Sequence, residues 1–231
     1  MTRQRNGRRN VMPLVWFLMA LWEAAPAAAQ AGAEPRIWTN VSMQGRFEPG
    51  SAWRWTADSI VLTREGAGAL DSLAEQFIVT RNLTERSSVG VGYAYAAGFP
   101  DAGLLLEHRF VQQYAWSGGV KRRVSLRNRV EERFVTGKGA MLLRVRPQVR
   151  VTWPLDAKSG LRGVASDELF VQASSATPSS WGLDNNRMFV GIARTVTPRN
   201  AVEIGYLNVY AHGASGNRTI HVLSVTLTVA L

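Results

Sequence analysis

Residues 141–153 read MLLRVRPQVRVTW, and apolar and polar side chains alternate along this stretch. Successive side chains of a β-strand point to opposite faces, so one face carries Leu, Val and Trp and the other carries Arg, Gln and Thr. Pro147 donates no ladder hydrogen bond, and prolines normally avoid central strands, so we expect a bulge at this position. The stretch therefore predicts a β-strand with one hydrocarbon face and one strongly cationic face.

The same period of two recurs along the chain, in segments separated by Gly, Pro, Asn, Asp and Ser. Because bacterial single-chain barrels have even strand numbers, we expect either that the first segment is not a full strand or that one further strand exists. The pattern predicts an all-β fold, an antiparallel up-and-down transmembrane β-barrel of about 10–12 strands. The eleven segments are 36–47, 52–64, 73–82, 87–97, 104–116, 123–134, 141–153, 160–173, 185–196, 200–211 and 223–231.

A barrel in lipid is favoured over a soluble sandwich for a physical reason. An unpaired backbone group in lipid costs several kcal/mol, so strands that span a membrane must close into a barrel without edges. Strands of about 9–11 residues, tilted by about 45°, cross a bilayer, and the segments have this length. The connections between them also tend to alternate between short and longer, as in barrels with short periplasmic turns and longer outer loops.

The first 29 residues have the three-part layout of a secretory signal peptide. Four arginines precede an apolar run of about 12 residues, which is short of the roughly 20 that a membrane-spanning helix needs. Small residues follow and end at Ala27-Ala28-Ala29. We therefore predict a cleaved signal peptide over 1–29 and an outer-membrane β-barrel over 30–231, exported by the general secretory route to the bacterial outer membrane.

The composition is strongly basic and lacks cysteine. The formal net charge is +10, which would also suit a nucleic-acid-binding protein. The export signal and the spread of arginines along the chain, without a compact basic block, argue against nucleic acid as a partner. Zero cysteines exclude disulfides and thiolate metal sites, and no metal-ligand spacing or phosphate-binding glycine loop occurs, so no cofactor is expected.

Several short motifs, taken in order, are similar to those of a known family. The motifs are Trp38-Thr39-Asn40, Gly92-Tyr93, Glu107-His108-Arg109, the run from Arg127 to Arg133, Arg144-Val145-Arg146, Glu168-Leu169-Phe170, Asn186-Arg187 and Gly205-Tyr206. With them the chain resembles the bacterial outer-membrane family called domain of unknown function 2490. The resemblance implies the fold and the location, but it implies no reaction.

The polar faces of the predicted strands place twelve charged residues inside the barrel. Neighbouring strands bring facing residues within about 5 Å, so we expect Glu107 to meet Arg127 or Arg129, and Glu131 to meet Arg144 or Arg146. The predicted lumen-lining charges are Glu107, Arg109, Arg127, Arg129, Glu131, Arg133, Arg144, Arg146, Arg150, Arg162, Glu168 and Arg187.

These charges are consistent with two roles. They form either a ladder that fills and stiffens a narrow lumen, or the lining of a small porin-like pore that attracts anions. The partners expected are outer-membrane lipid and lipopolysaccharide and, for the pore, a small anionic solute. The oligomeric state is not predicted.

Two alternatives remain from the sequence. One is a hydrolase that modifies lipid or lipopolysaccharide, with His212 and Ser215 in the last loop as a weak catalytic pairing that has no evident orienting acid. The other is a soluble periplasmic β-barrel that binds an acidic ligand. We favour a protein that is not an enzyme.

Overall fold

The computed structural model describes residues 36–64, 68–101, 103–120, 123–174, 181–212 and 216–231. Their secondary structure is all β, and each of the eleven predicted segments corresponds to one strand. The predicted signal peptide, residues 1–29, lies outside the described residues. The strands are β1 Arg36–Arg46, β2 Trp53–Arg64, β3 Ala69–Asn82, β4 Ser87–Gly98, β5 Leu105–Gly118, β6 Arg123–Val135, β7 Leu142–Asp156, β8 Leu161–Ser174, β9 Gly182–Thr195, β10 Asn200–Ala211 and β11 Arg218–Ala230.

None of the described residues belongs to a helix long and apolar enough to cross a membrane.

The eleven strands form a closed barrel in which consecutive strands pair antiparallel. The first and last strands close it by parallel pairing, from Arg36 opposite Val222 to Gln44 opposite Ala230. The expectation of an even strand number is therefore wrong, and β1 is a full member of the sheet. In an up-and-down barrel with an odd number of strands, the first and last strands run in the same direction, so their pairing has to be parallel.

The connections lie alternately at the two ends of the barrel. We call one end the turn end, with connections 47–52, 83–86, 119–122, 157–160 and 196–199. The opposite end is the loop end, with connections 65–68, 99–104, 136–141, 175–181 and 212–217. Strand β3 begins at Ala69, earlier than predicted, which leaves a first connection at the loop end of only four residues.

Burial separates the two faces of the strands as the alternation predicts. On β5, Phe110 is 51 % exposed on the outer face while its neighbour Val111 is 1 % exposed on the inner face. Side chains pack much of the interior, as in other small barrels. Ile78, Ala94 and Val111 form a small apolar cluster on β3–β5. A larger apolar part lies on β1, β2 and β9–β11, where Leu207, Val209 and Val222 pack with Trp38, Leu62, Phe189 and Ile220.

Two glycines make room for one aromatic ring in this apolar part. Gly191 and Gly205 are register partners on β9 and β10. A Cβ on Gly205 would lie 2.3 Å from the Val190 carbonyl oxygen and 2.7 Å from Cζ of Phe189. The absence of side chains at these two positions lets the Phe189 ring lie against the inner wall.

Pro147 does not produce the bulge that the sequence suggests. Strand β7 keeps one register with β8 on both sides of it, with Val145 opposite Val171 and Gln148 opposite Glu168. The β7–β8 ladder omits Arg146 and Pro147 and then resumes in the same register, so there is a gap in pairing without an extra residue. The register of β7 shifts instead near its two ends, between Leu143 and Arg144 and between Pro154 and Asp156.

The replacement Pro147→Val is expected to stabilise the barrel by about 1 kcal/mol, the net worth of one hydrogen bond. Valine restores the backbone donor and keeps an apolar side chain on the exposed outer face. Urea unfolding of the refolded protein, followed by tryptophan fluorescence, measures the change. A loss of stability would show that the strand needs the restricted backbone of proline here.

Candidate functional site

The twelve predicted charges lie on five consecutive strands, β5 to β9, and share the inward-facing parity of these strands. Most of them group around Glu107, Glu131, Glu168 and the ring of Phe170. Strand β5 carries Glu107 and Arg109; β6 carries Arg127, Arg129, Glu131 and Arg133; β7 carries Arg144, Arg146 and Arg150; β8 carries Arg162 and Glu168; β9 carries Arg187.

Glu131 is the centre of the first group and is 1 % exposed. Arg144, its register partner on β7, donates from Nε at 2.9 Å and from Nη2 at 2.6 Å to Glu131 Oε2. Arg146 donates to the other carboxylate oxygen. The sequence predicted both partners, because facing strands bring residues of the same parity together.

Glu168 on β8 joins this group to the next strand. Its Oε1 lies 2.7 Å from Nη2 of Arg127 and 3.0 Å from Nη2 of Arg146. Arg146 thus bridges Glu131 and Glu168, while Arg127 reaches across β7 from β6. The result is a continuous ladder of charge-assisted hydrogen bonds over three strands, the stronger class of hydrogen bond.

Glu107 has different partners from those predicted. It binds Arg109 on its own strand, with 2.8 Å from Nε to Oε1, and Arg133 on β6. The β5–β6 register places Glu107 opposite Val135, and it places Arg127 and Arg129 opposite Ala115 and Gln113, too far along the strand. Since Arg109 and Arg133 face each other directly, the carboxylate of Glu107 offsets their repulsion.

Arg129 extends the network to the opposite part of the barrel. It donates from Nη1 to Gln76 Oε1 at 2.8 Å and from Nη2 to Gln113 Oε1 at 3.1 Å. Gln76 in turn donates to Asp58 Oδ2 at 2.9 Å. Sequence reasoning missed Gln76 and Asp58, since the inner faces of β2 and β3 do not show the repeated Arg and Glu that mark β5 to β8.

Two further acids were also missed. Glu203 on β10 forms an ion pair with Arg150, and Asp184 on β9 lies 3.5 Å from Arg144. The parity of segment 200–211 would have placed Glu203 inside. Arg162, at the turn end, donates from Nη2 to Thr195 Oγ1 at 3.5 Å.

Phe170 is the apolar centre of the site and is 2 % exposed. The guanidinium carbons of Arg146, Arg187 and Arg144 lie 4.1, 4.4 and 5.1 Å from its ring centroid. Arg187 also stacks on Trp38, at 4.7 Å. Phe170 shares its parity with Glu168, and this parity predicts that it faces inward. The inward set predicted from the sequence contains charged residues only, so Phe170 is not in it.

The three histidines are not among the partners of the ladder charges in the described part of the chain. His108 and His221 face outward and are hydrogen-bonded to Tyr93 and Tyr206. His212 lies next to β10, and its predicted partner Ser215 lies outside the described residues. Among the described residues no group of three or more His, Cys, Asp or Glu is arranged to hold a metal ion.

Comparison with known proteins identifies the family of this chain. Residues 36–219 match the family described as "Protein of unknown function (DUF2490)". The chain is also 30 % identical, over 96 % of its length and 98 % of the other chain, to an uncharacterised protein of Methylorubrum extorquens strain AM1. The matched region spans all of the strands up to the start of β11, and so the chain belongs to the DUF2490 family.

Proposed function

We propose that the protein is an outer-membrane β-barrel whose lumen is closed by its own arginine–glutamate network, so that it is a structural rather than a conducting barrel. The observation that carries this proposal is the burial of Glu131 and Phe170 within β6 and β8. Side chains also bridge the lumen, from Arg129 to Gln76 and from Arg150 to Glu203, which supports a lumen without a wide aqueous path. The role favoured is therefore the charge ladder.

The outer face supports a membrane location. Soluble monomers rarely expose large continuous apolar patches, whereas a lipid-facing barrel wall needs them. Exposed apolar side chains occur on every strand, and they include Val41, Phe77, Val91, Phe110, Leu126, Val149, Leu169, Val190, Ile204 and Leu223.

Tryptophans near the turn end fit an interfacial belt. Trp55, Trp116 and Trp153 lie on the outer face, and each covers a glycine of the wall, since a Cβ on Gly45, Gly118 or Gly163 would be 3.0 Å or less from the indole ring. Aromatic girdles mark the membrane–water interfaces of such barrels, and aromatic rings often cover exposed glycines of a sheet.

Several polar residues on the outer face are satisfied in pairs. Ser59 donates to Glu75 at 2.7 Å, Gln112 to Glu132 at 3.0 Å, and Asn186 to Asp167 at 2.6 Å. Pairing of this kind matters in lipid, where an unsatisfied polar group costs several kcal/mol. It lets a few polar residues remain on an otherwise apolar wall.

The anion-attracting pore is the second candidate, and one observation favours it. Of the nine inward arginines, seven form ion pairs with five carboxylates, those of Glu107, Glu131, Glu168, Asp184 and Glu203. This excess leaves a positive potential, which favours anions in a pore. Conductance separates the two candidates.

The test combines membrane location with conductance. We expect the protein to fractionate with the outer membrane, to need detergent for extraction, and to run faster on a gel when unheated than when boiled. Inserted into planar lipid bilayers it should remain silent, while a general porin inserted as a positive control conducts. Stable anion-selective current steps would establish the pore instead, and a chain that stays monodisperse without detergent would contradict the membrane location.

A further inference from the structure

A cavity of about 490 Å³ opens at the loop end of the barrel. It is bounded by β1, β2 and β3, by β9, β10 and β11, and by the connection that contains Pro100 and Asp101. Ligand pockets typically measure about 300–1,000 Å³. The cavity therefore has room for a small organic molecule, and it lies apart from the ladder around Glu131.

One wall of this cavity is apolar. Trp38, Leu62, Val209, Ile220 and Val222 line it, and they belong to the packed apolar part of the interior. A wall that is held by packing is pre-formed, and a ligand need not order it. The wall favours a ligand with an apolar body over a bare inorganic ion.

Some of the charged side chains that line the cavity have a partner of opposite charge, and others do not. Arg36 is paired with Asp71 at 2.9 Å, and Arg64 with Asp101 at 2.9 Å. Arg187 has no carboxylate within ion-pair distance in the described part of the chain. Its guanidinium is held instead between the rings of Trp38 and Phe170, so its plane is fixed while its charge has no direct counter-ion.

Two buried polar atoms beside this charge have no hydrogen-bond partner among the described residues. They are Nε of Arg187, a donor, and Oδ1 of Asn185, an acceptor. Buried polar groups are nearly always hydrogen-bonded, so an unpartnered pair calls for an explanation. Since Asn185 and Arg187 are two residues apart on β9, their side chains share one face, and a single ligand can meet both.

We propose that the loop-end cavity binds a small organic monocarboxylate with an apolar body and a neighbouring hydroxyl group. The carboxylate accepts hydrogen bonds from Arg187, whose planar fork fits it, the hydroxyl donates to Asn185 Oδ1, and the body packs on the apolar wall. Arg187 and Arg218 line the cavity without a carboxylate partner among the described residues, and Arg218 is exposed at its edge. The fixed guanidinium plane of Arg187 and the apolar wall suit this ligand better than a phosphate dianion. This site goes beyond the proposed function, because it needs only the geometry of the barrel and not its conductance.

The test is calorimetric titration of the detergent-folded barrel with three probes that differ by one group each. Mandelate carries the carboxylate, the hydroxyl and a phenyl body; phenylacetate lacks the hydroxyl; phenylacetamide also lacks the charge. Mandelate should bind several-fold more tightly than phenylacetate, as one hydrogen bond allows, and phenylacetamide should bind more weakly than either acid. No binding of mandelate to the folded wild type would overturn the proposal, as would tighter binding of inorganic phosphate.

Substitutions test whether mandelate binds at Arg187. Arg187→Gln should weaken mandelate binding roughly tenfold or more, the effect of a charge-assisted hydrogen bond. The matched control is Arg162→Gln, which removes an inward arginine at the turn end and should change binding less than about twofold. Equal affinity in wild type and folded Arg187→Gln would show that the carboxylate binds elsewhere.

Asn185→Leu provides a second and milder test, should Arg187→Gln not fold. It should remove the preference for mandelate over phenylacetate and leave phenylacetate binding nearly unchanged. A preference that persists would contradict the role of Asn185. The heat-dependent gel shift reports folding for every variant, so a barrel that shifts but does not bind mandelate refutes this site and leaves the proposed outer-membrane barrel intact.

Discussion

Glu131→Ala is expected to lower the free energy of unfolding by about 3–5 kcal/mol, the usual cost of removing one partner from a buried ion pair. Glu131 is 1 % exposed and binds Arg144 and Arg146. Its loss leaves two guanidinium groups close together in the lumen without the carboxylate between them. Among the described residues, Glu168, on Arg146, and the more distant Asp184, on Arg144, then remain as their counter-ions.

The matched control is the next residue along the strand. Glu132 faces outward, is register partner of Leu143, and accepts one hydrogen bond from Gln112. Glu132→Ala removes a charge from the lipid-facing wall but leaves Gln112 without its acceptor, and because these two effects oppose each other the stability should change by about 1 kcal/mol or less. Reversible urea unfolding in lipid vesicles, read by tryptophan fluorescence, compares the two variants; similar losses would mean that the inner network does not hold the barrel together.

The period of two was sufficient to predict the fold. Each of the eleven segments corresponds to a strand. Successive side chains alternate between the outer and the inner face, and the alternation of Leu or Val with Arg makes this pattern visible in the sequence. The prediction was wrong about how the barrel closes, because it required an even number of strands. Whether β1 and β11 pair depends on their direction in space, which no local pattern contains, and the general rule of even strand numbers was applied where the segments themselves counted eleven.

The sequence predicted which face of the strands the site residues occupy, but it predicted only some of their partners. Parity alone puts Glu131 beside Arg144 and Arg146. It does not fix the register of the β5–β6 hairpin, which depends on the geometry of the connection 119–122, so Glu107 was assigned the wrong arginines. The charge pattern does not mark Phe170, because its contribution is apolar: its ring stacks with three guanidinium groups.

Contacts across the lumen could not be predicted from the pairing of adjacent strands. Arg150 on β7 meets Glu203 on β10, and Arg129 on β6 meets Gln76 on β3. Such pairs depend on barrel diameter and side-chain length together. The same physical reason explains why the loop-end cavity, formed by six strands from both ends of the chain, was not foreseen.

Ile204→Arg is expected to destabilise the barrel in lipid by about 2–4 kcal/mol, as an arginine near the middle of a lipid-facing wall does. Ile204 is 44 % exposed and is flanked by Ile192 and Val225 as register partners on β9 and β11. An arginine there has no carboxylate partner on either side. In water the same replacement on an exposed face would change the stability by only about 0.5 kcal/mol.

Ser42→Arg is the control that separates lipid from water, because it adds the same side chain at a similar height on the opposite face. Ser42 lies four residues from Arg46, the turn-end limit of β1, as Ile204 lies four residues from Asn200 on β10. Ser42 faces inward and stands opposite Asp58, so the new arginine meets a carboxylate. Its expected effect is within about 1 kcal/mol, the range of a partly exposed ion pair. Unfolding in vesicles should therefore distinguish the two variants, whereas equal stabilities would mean that the apolar wall faces water rather than acyl chains.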